Sequence, residues 1–415
     1  TIMPQASQPK DRIAIVDGVR TPFARIATHY KDLNAIDLGV LVVKEIIGRN
    51  NLSPADIQQL VFGMTVMIPE APFIAREIAL ACGYHNMDAY SITRACATSF
   101  QTTACLADNI LAGYTDIGIA GGTDSTTCVR IPLSAKLSAT LRDVNFAKTT
   151  KDKLRLLAQL KAKDLLPQRP SITEYSVGET MGESTEKMVK KWGVSRSEQD
   201  DLAHASHSNA AQAWAEGRMD KQVMAVKLAN GTTVTKDNLI RSQSNRTDYD
   251  KLKPVYDTYS GRGSVTAGNA SGINDGAAAV VVMTAKKAAA LGLKPLARIA
   301  AFGTSGLDPA TMGMGPVPAS RKALQRAGWN AADVDLFELN EAFAAQACAV
   351  NKELGIDPAK VNVNGGAIAI GHPLGASGAR AVIDAGRELK RKGGGIAIAA
   401  ACIGVGQGIA IAVQV

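Results

Sequence analysis

Apolar runs of strand length alternate with stretches of helical period along the first third of the chain. Strands are predicted at 13–16, 60–66, 89–92 and 117–121, with helices at 35–49, 76–82 and 101–111 between them. The last third repeats the rhythm, with strands at 298–302, 334–339, 360–363 and 396–400 and helices at 321–327, 342–354 and 376–391. Strands alternating with amphipathic helices are the pattern of an α/β layered fold.

The two ends can be superposed. Leu52-Ser-Pro-Ala-Asp56-Ile57-Gln-Gln-Leu60-Val61-Phe62 resembles Trp329-Asn-Ala-Ala-Asp333-Val334-Asp335-Leu336-Phe337, and Asp56 precedes Cys96 by 40 residues where Asp333 precedes His372 by 39. A duplication therefore predicts that Cys96 and His372 occupy equivalent positions, each at the start of a helix. A pseudo-twofold would aim both helix N-termini, with their partial positive charge, into one site.

The rhythm breaks between about 130 and 266. Within this stretch, 148–169 holds seven basic residues (Lys148, Lys151, Lys153, Arg155, Lys161, Lys163, Arg169) against two acidic ones, interleaved with Leu154, Leu156, Leu157, Leu160, Leu165 and Leu166. It reads as an amphipathic basic helix whose leucines pack on the body, meet a partner or membrane, or border a phosphorylated ligand. Residues 195–218 read as an ordinary amphipathic helix. The division expected is 1–129 completed by about 267–294, an insertion over 130–266, and a second half over 295–415.

At 415 residues and 46% hydrophobic, the chain is globular and long enough for more than one core. Its longest apolar runs are Gly- and Ala-rich and shorter than the ~18 residues of a membrane span. The beginning Thr1-Ile2-Met3 reads as a remnant before a native start at Met3, with no signal peptide, so the cytoplasm is the expected location. The net charge of +8 does not choose a partner, and because most of it sits in 148–169, the body is nearly neutral. Aromatics at 5% disfavour base stacking, and no nucleic acid is expected. Six cysteines without a C-x-x-C pair and five histidines without ligand spacing point to buried thiols and to no metal.

Three segments nevertheless carry chemistry. In Ser91-Ile-Thr-Arg-Ala-Cys96-Ala-Thr-Ser-Phe100 a thiol sits between a strand and a helix, where the macrodipole is expected to lower its pKa, although a small buried cysteine is the plainer reading. Gly365-Gly-Ala-Ile-Ala-Ile-Gly-His372-Pro-Leu-Gly-Ala-Ser-Gly places a histidine in a Gly-rich loop before a helix. With an unperturbed pKa near 6.5 it suits a base for a thiol, though such a loop equally suggests phosphate binding. Ala401-Cys402-Ile-Gly404-Val-Gly406 puts a second thiol at a strand end among backbone N–H groups.

Cys96, Asn340-Glu-Ala-Phe343, Gly371-His372-Pro373 and Cys402-Ile-Gly404, in that order, resemble the four active-site motifs of the thiolase family. The resemblance spans essentially the whole chain, including Ser264-Val-Thr-Ala-Gly-Asn-Ala-Ser271-Gly-Ile-Asn-Asp-Gly276 and Met312-Gly-Met-Gly-Pro316. It implies a thiolase-like duplicated α-β-α-β-α layered fold with an inserted loop domain, in a homodimer or homotetramer. The implied activity is that of a 3-ketoacyl-CoA thiolase (acetyl-CoA C-acyltransferase) working by ping-pong acyl transfer, with coenzyme A and acyl-CoA as substrates and no tightly bound cofactor. By resemblance Cys96 is the nucleophile, His372 its base, and Cys402 the acid and, in reverse, the base at the α carbon. Asn340 is expected to fix a water that with His372 forms one oxyanion hole, and the N–H groups of Cys96 and Gly404 the other. Ser271 matches a contact to the pantetheine arm, Met181 a methionine beside the thioester, and Met312 and Phe343 apolar walls; Arg241 and Arg246 are weaker candidates for CoA phosphates.

The stretch 148–169 and Glu174-Tyr-Ser-Val-Gly178 resemble the thiolase subunit of fatty-acid oxidation complexes, so a hydratase/dehydrogenase subunit or a membrane is an expected contact. The compact run from Asn340 to His372 instead resembles short-chain biosynthetic thiolases. Val405 stands where many members have Gly, and its side chain is expected either to narrow the acyl pocket or to face the core. The rival readings are a decarboxylating ketoacyl-synthase-like enzyme, against which Cys402 argues, and a non-catalytic lipid-binding or scaffold protein, which would be expected to have lost one of the four motifs.

Overall fold

The computed structural model describes residues 13–168 and 173–415; the expected native start and Arg169 lie outside the described residues. The strands join into one mixed sheet running, in order, Leu336–Leu339, Ile396–Ile403, Gln407–Gln414, Ala297–Gly306, Ile13–Arg20, Asn274–Thr284, Ile117–Asp124, Gln59–Gly63 and Asp88–Ser91. Among the described residues its two halves pair through Ala14 opposite Arg298 and Ile15 opposite Ala297. Outward from that seam each half shows the same sequence of pairings: antiparallel, antiparallel, parallel. A further parallel pairing follows on both sides, Gln59–Gly63 with Asp88–Ser91 and the single bridge of Phe337 with Val361. The duplication read from the sequence is thus a duplication of strand order.

The central strands are buried on both faces, which is why they read as nearly unbroken apolar runs. Along Asn274–Thr284, Ala278, Val280 and Val282 face one core, while Ala277, Ala279, Val281 and Met283 face another. Along Gln407–Gln414, Ile409, Ile411 and Val413 join that first core, while Ala410 and Ala412 join a third. The period of two therefore sorts each strand between a shared inner layer and an outer one. The inner layer is two helices, Thr98–Leu111 and Ser377–Lys392, and the outer layers carry Ala35–Arg49 and Ile74–Ala81 on one side, Pro316–Ala327 and Ala344–Leu354 on the other. This is the five-layered α-β-α-β-α arrangement that the resemblance implied.

The first turns of the two inner helices touch. The Ala379 N–H donates to Ser99 Oγ at 2.9 Å, and a Cβ on Gly378 would stand 2.3 Å from the Phe100 nitrogen, so only glycine allows the approach. Since position 99 lies three residues past Cys96 and position 379 seven past His372, this contact brings both segments to one place.

The basic stretch differs from expectation. It is not one helix but a short helix, Thr150–Leu157, and a separate 3-10 turn, Ala162–Leu165. Thr149 caps the first through the Asp152 N–H, while the Asp164 carboxylate accepts the Lys161 N–H and begins the second. Nor do most of its leucines pack on the body: Leu154, Leu157, Leu165 and Leu166 are exposed, with Leu154 at 62%, while Leu156 and Leu160 are half-buried. The helix expected at 195–218 is present as Arg196–Ala215, opened by a reciprocal cap between Ser195 and Glu198.

Candidate active site

Cys96 lies in a 3-10 turn, Ala95–Ala97, that runs into Thr98–Leu111. Ala95 enters it with φ of 44°, a left-handed value that turns the cysteine sharply out of the preceding strand. The Thr98 hydroxyl donates to the Ala95 carbonyl at 2.8 Å and accepts the Arg94 N–H at 2.9 Å, which holds the turn. The thiol is buried, and the backbone N–H groups of Gly404 and of Cys96 itself point at the sulfur. The macrodipole was expected to lower its pKa; instead burial pushes the thiol up to about 11, with the Asp124 and Glu174 carboxylates adding to the rise and the two N–H groups only partly offsetting it.

Cys402 ends the strand Ile396–Ile403. It too is buried, and burial followed by the proximity of Cys96 raises its thiol strongly, so the two sulfurs face one site. Around Cys402 pack Met312, Ala342, Met181 and Phe343, so the three apolar substrate candidates surround one thiol. Ser271 is half-buried beside them, its N–H and its hydroxyl both donating to the Ala342 carbonyl at 3.0 Å.

His372 is buried in the loop before Ser377–Lys392. Ser377 Oγ lies 2.6 Å from Nδ1 and donates its single proton to the Pro373 carbonyl at 2.8 Å, so it accepts from Nδ1–H. Nε2 is then the unprotonated nitrogen, and the Asn340 amide donates to it at 3.2 Å. Burial, assisted by the Arg380 guanidinium, pulls the ring down to about 3 rather than leaving it near 6.5. Asn340 follows the strand Leu336–Leu339, its N–H donating to the Ala400 carbonyl at 2.9 Å, and its Oδ1 is buried with no hydrogen-bond partner among the described residues.

Several supporting residues carried no sequence-based role. Glu341 is a buried carboxylate that accepts from Ser206 Oγ at 2.7 Å, Asn362 Nδ2 at 2.8 Å and the Ile368 N–H at 3.1 Å, tying the Asn340 turn to the loop that leads into His372. Asp124, raised to about 6 by burial, accepts the N–H groups of Thr65, Val66 and Gly375 and so joins the two halves beneath the site. Glu341 and Ser377 lie inside the quoted motifs, and Asp124 is a charge ending an apolar strand; these were the available signals.

Val405 does not face the core: it is 52% exposed with φ of 61°, and that left-handed backbone is the reason glycine suits the position. Arg246 pairs with Asp201 and Asp250. Among the described residues no group of three or more His, Cys, Asp or Glu could hold a metal ion, and no helix is long and apolar enough to cross a membrane.

The whole described chain has known counterparts. The thiolase N-terminal domain matches residues 13–286 and the thiolase C-terminal domain residues 293–415. The chain is 44% identical to the 3-ketoacyl-CoA thiolases of Salmonella choleraesuis strain SC-B67 and Salmonella typhi, over 99% of each chain. Among solved structures, the Bacillus anthracis acetyl-CoA acetyltransferase superposes with a TM-score of 0.86 and human mitochondrial 3-ketoacyl-CoA thiolase with 0.87, each at 33% identity over 97% of this chain and 98% of the other. Sequence, fold and site agree, and the chain belongs to the thiolase family.

Proposed function

We propose that the protein is a 3-ketoacyl-CoA thiolase (acetyl-CoA C-acyltransferase) in which Cys96 carries the acyl group. The observation that carries this reading is the convergence on one site of two thiols, the Gly404 N–H and the Asn340–His372 pair. Nε2 of His372 takes the Cys96 proton as the sulfur attacks the ketone carbon. The bond between the α and β carbons breaks, its electrons pass to the departing acetyl-CoA enolate, and Cys402 protonates that carbon. Coenzyme A then takes the acyl group from Cys96, and the reverse sequence is a Claisen condensation with Cys402 as base.

Burial works against a resting thiolate: at neutral pH both thiols and the imidazole are uncharged, so the proton passes from Cys96 to His372 only as the charge moves onto the substrate oxygen. The N–H groups of Cys96 and Gly404 are placed to receive one such oxygen, and a donor of this kind contributes about 3 kcal/mol. The free Asn340 Oδ1 suits a water that would serve the other oxygen with His372. Ser271 then meets the pantetheine arm, and Met181, Met312 and Phe343 wall the thioester and acyl group. Incubation with acetyl-CoA or acetoacetyl-CoA followed by peptide mapping tests the reading; a folded sample in which Cys96 stays unmodified would sink it. Comparing acetoacetyl-CoA with longer 3-ketoacyl-CoAs sets the chain length.

The reading extends to a cytoplasmic homodimer or homotetramer, built from halves 1–129 with 267–294 and 295–415, with 130–266 inserted. The insertion carries a second reading, contact with an anionic lipid surface. Helices Ala135–Phe146 and Thr150–Leu157 and their flanks expose Ile131, Leu133, Phe146, Leu154 and Leu166 among lysines and arginines. Flotation should show binding to anionic but not zwitterionic vesicles, lost when 148–168 is removed. Co-purification of a hydratase/dehydrogenase subunit with no lipid binding would assign the surface to that partner instead.

A further inference from the structure

Glu174 packs against the Gly404–Val405 turn, near enough for its carboxylate to raise the Cys96 thiol, and has no part in the scheme above. It is 8% exposed, on a turn closed by its own N–H donating to the Glu179 carbonyl at 2.9 Å and by the Gly178 N–H donating back to its carbonyl at 2.9 Å. Its Oε1 accepts the Val405 N–H at 2.7 Å and lies 3.5 Å from where a Cβ on Gly404 would be. Its Oε2 is buried with no hydrogen-bond partner among the described residues.

We propose that Glu174 is a positioning residue: by accepting the Val405 N–H it holds the turn that aims the Gly404 N–H at Cys96, and its carboxylate adds to the negative potential at that cysteine. The turn needs holding, because Val405 is β-branched and sits at φ of 61°, a left-handed conformation that such a residue keeps only where its surroundings fix it. If the Val405 peptide turned away, the adjacent Gly404 N–H would turn with it and the oxyanion would lose a donor. The charge has a separate consequence. The titratable groups acting on Cys96 are Asp124 from its strand, Cys402 from the strand Ile396–Ile403 and Glu174 from the inserted region; the segment of His372, neutral at pH 7, is joined to that of Cys96 through the Ser99–Ala379 contact, and Arg94, on the cysteine's own segment, is engaged by Gln101 and Gln407. Asp124 and, after it, Glu174 both oppose thiolate at Cys96, and of the two only Glu174 also holds the Val405 turn.

The role in oxyanion binding rests on the thiolase reading, but the effect on the thiol does not, so alkylation separates the two. The pH dependence of iodoacetamide modification, followed on the Cys96 peptide by mass spectrometry, needs no turnover. Glu174→Gln keeps an acceptor for Val405 and removes the charge, and should move the alkylation midpoint down by about one pH unit. Glu174→Ala should show the same movement and in addition lower kcat for acetoacetyl-CoA thiolysis about tenfold with KM little changed, while Glu174→Gln recovers most of that loss. An alkylation profile unmoved in Glu174→Gln, or equal kcat in the two variants, overturns the assignment. Should Glu174→Ala not fold, the Glu174→Gln profile decides alone. A parent protein that alkylates normally at Cys96 yet shows no thiolysis overturns the thiolase reading and leaves the charge effect standing.

Discussion

Ser377 Oγ lies 2.6 Å from His372 Nδ1 and gives its own proton to the Pro373 carbonyl, so one hydroxyl decides which nitrogen of the histidine is basic. Nε2 faces Asn340 as a result, and the serine opens the helix that follows the Gly-rich loop. Ser377→Ala should therefore lower kcat about tenfold, the cost of roughly one buried hydrogen bond, with KM little changed. Steady-state thiolysis of acetoacetyl-CoA checks this; an unchanged kcat would show that the ring keeps its tautomer without the serine.

The two thiols should separate by reaction. Cys96→Ala should abolish acyl-enzyme formation from acetyl-CoA while leaving the fold intact. Cys402→Ala should still acylate at Cys96 but lose α-proton exchange by about 10²–10⁴-fold, the usual contribution of a positioned general base. Deuterium incorporation into acetyl-CoA, read by NMR, distinguishes them. Full exchange in Cys402→Ala would move the base elsewhere.

Buried His372 makes stability depend on acid pH. Folded, the ring stays neutral to about pH 3, whereas in the unfolded chain it takes a proton near 6.5. Below about pH 6.5 the unfolded state binds the extra proton, so stability falls as pH drops toward 3, by at most about 1.4 kcal/mol per unit from this ring. Asp124, raised to about 6, works the other way between about 4 and 6, because there the folded state holds the extra proton. Urea midpoints measured from pH 7 to 4 should fall less steeply in His372→Asn than in the parent. Parallel curves would mean that the ring titrates normally in the fold.

Glu341 joins Ser206, Asn362 and the Ile368 N–H from three separate segments. Glu341→Ala leaves these donors buried and unpaired and should cost about 2–3 kcal/mol, with a fall in kcat because the loop before His372 loses its anchor. Glu341→Gln, which keeps an acceptor, should lie between the variant and the parent. Chemical denaturation and kcat measured on the same samples check both, and a loss of stability without loss of rate would confine Glu341 to the fold.

The motifs around Cys96, Asn340, His372 and Cys402 were legible only through the resemblance to the thiolase family, whereas the alternation of apolar runs and helical segments was enough to read an α/β layered fold and its duplication, because period and spacing are local properties of a chain. Cys96 and His372 were legible as equivalent positions for the same reason, since each half repeats its own strand–helix order. The strands 274–284 and 407–414 were missed as partners in that repeat, because an apolar run does not declare which neighbours it will pair with. What the tertiary structure alone decided was the state of the site. The sequence suggested a lowered thiol and an ordinary histidine, the values expected at an accessible helix start, and the fold buries both and moves them apart. It likewise brought Glu174, Asp124 and Ser377 to the candidate site, and left four of the six leucines of the basic stretch in solvent. Desolvation and the meeting of distant segments depend on what packs against a residue, and no pattern along one segment contains that information.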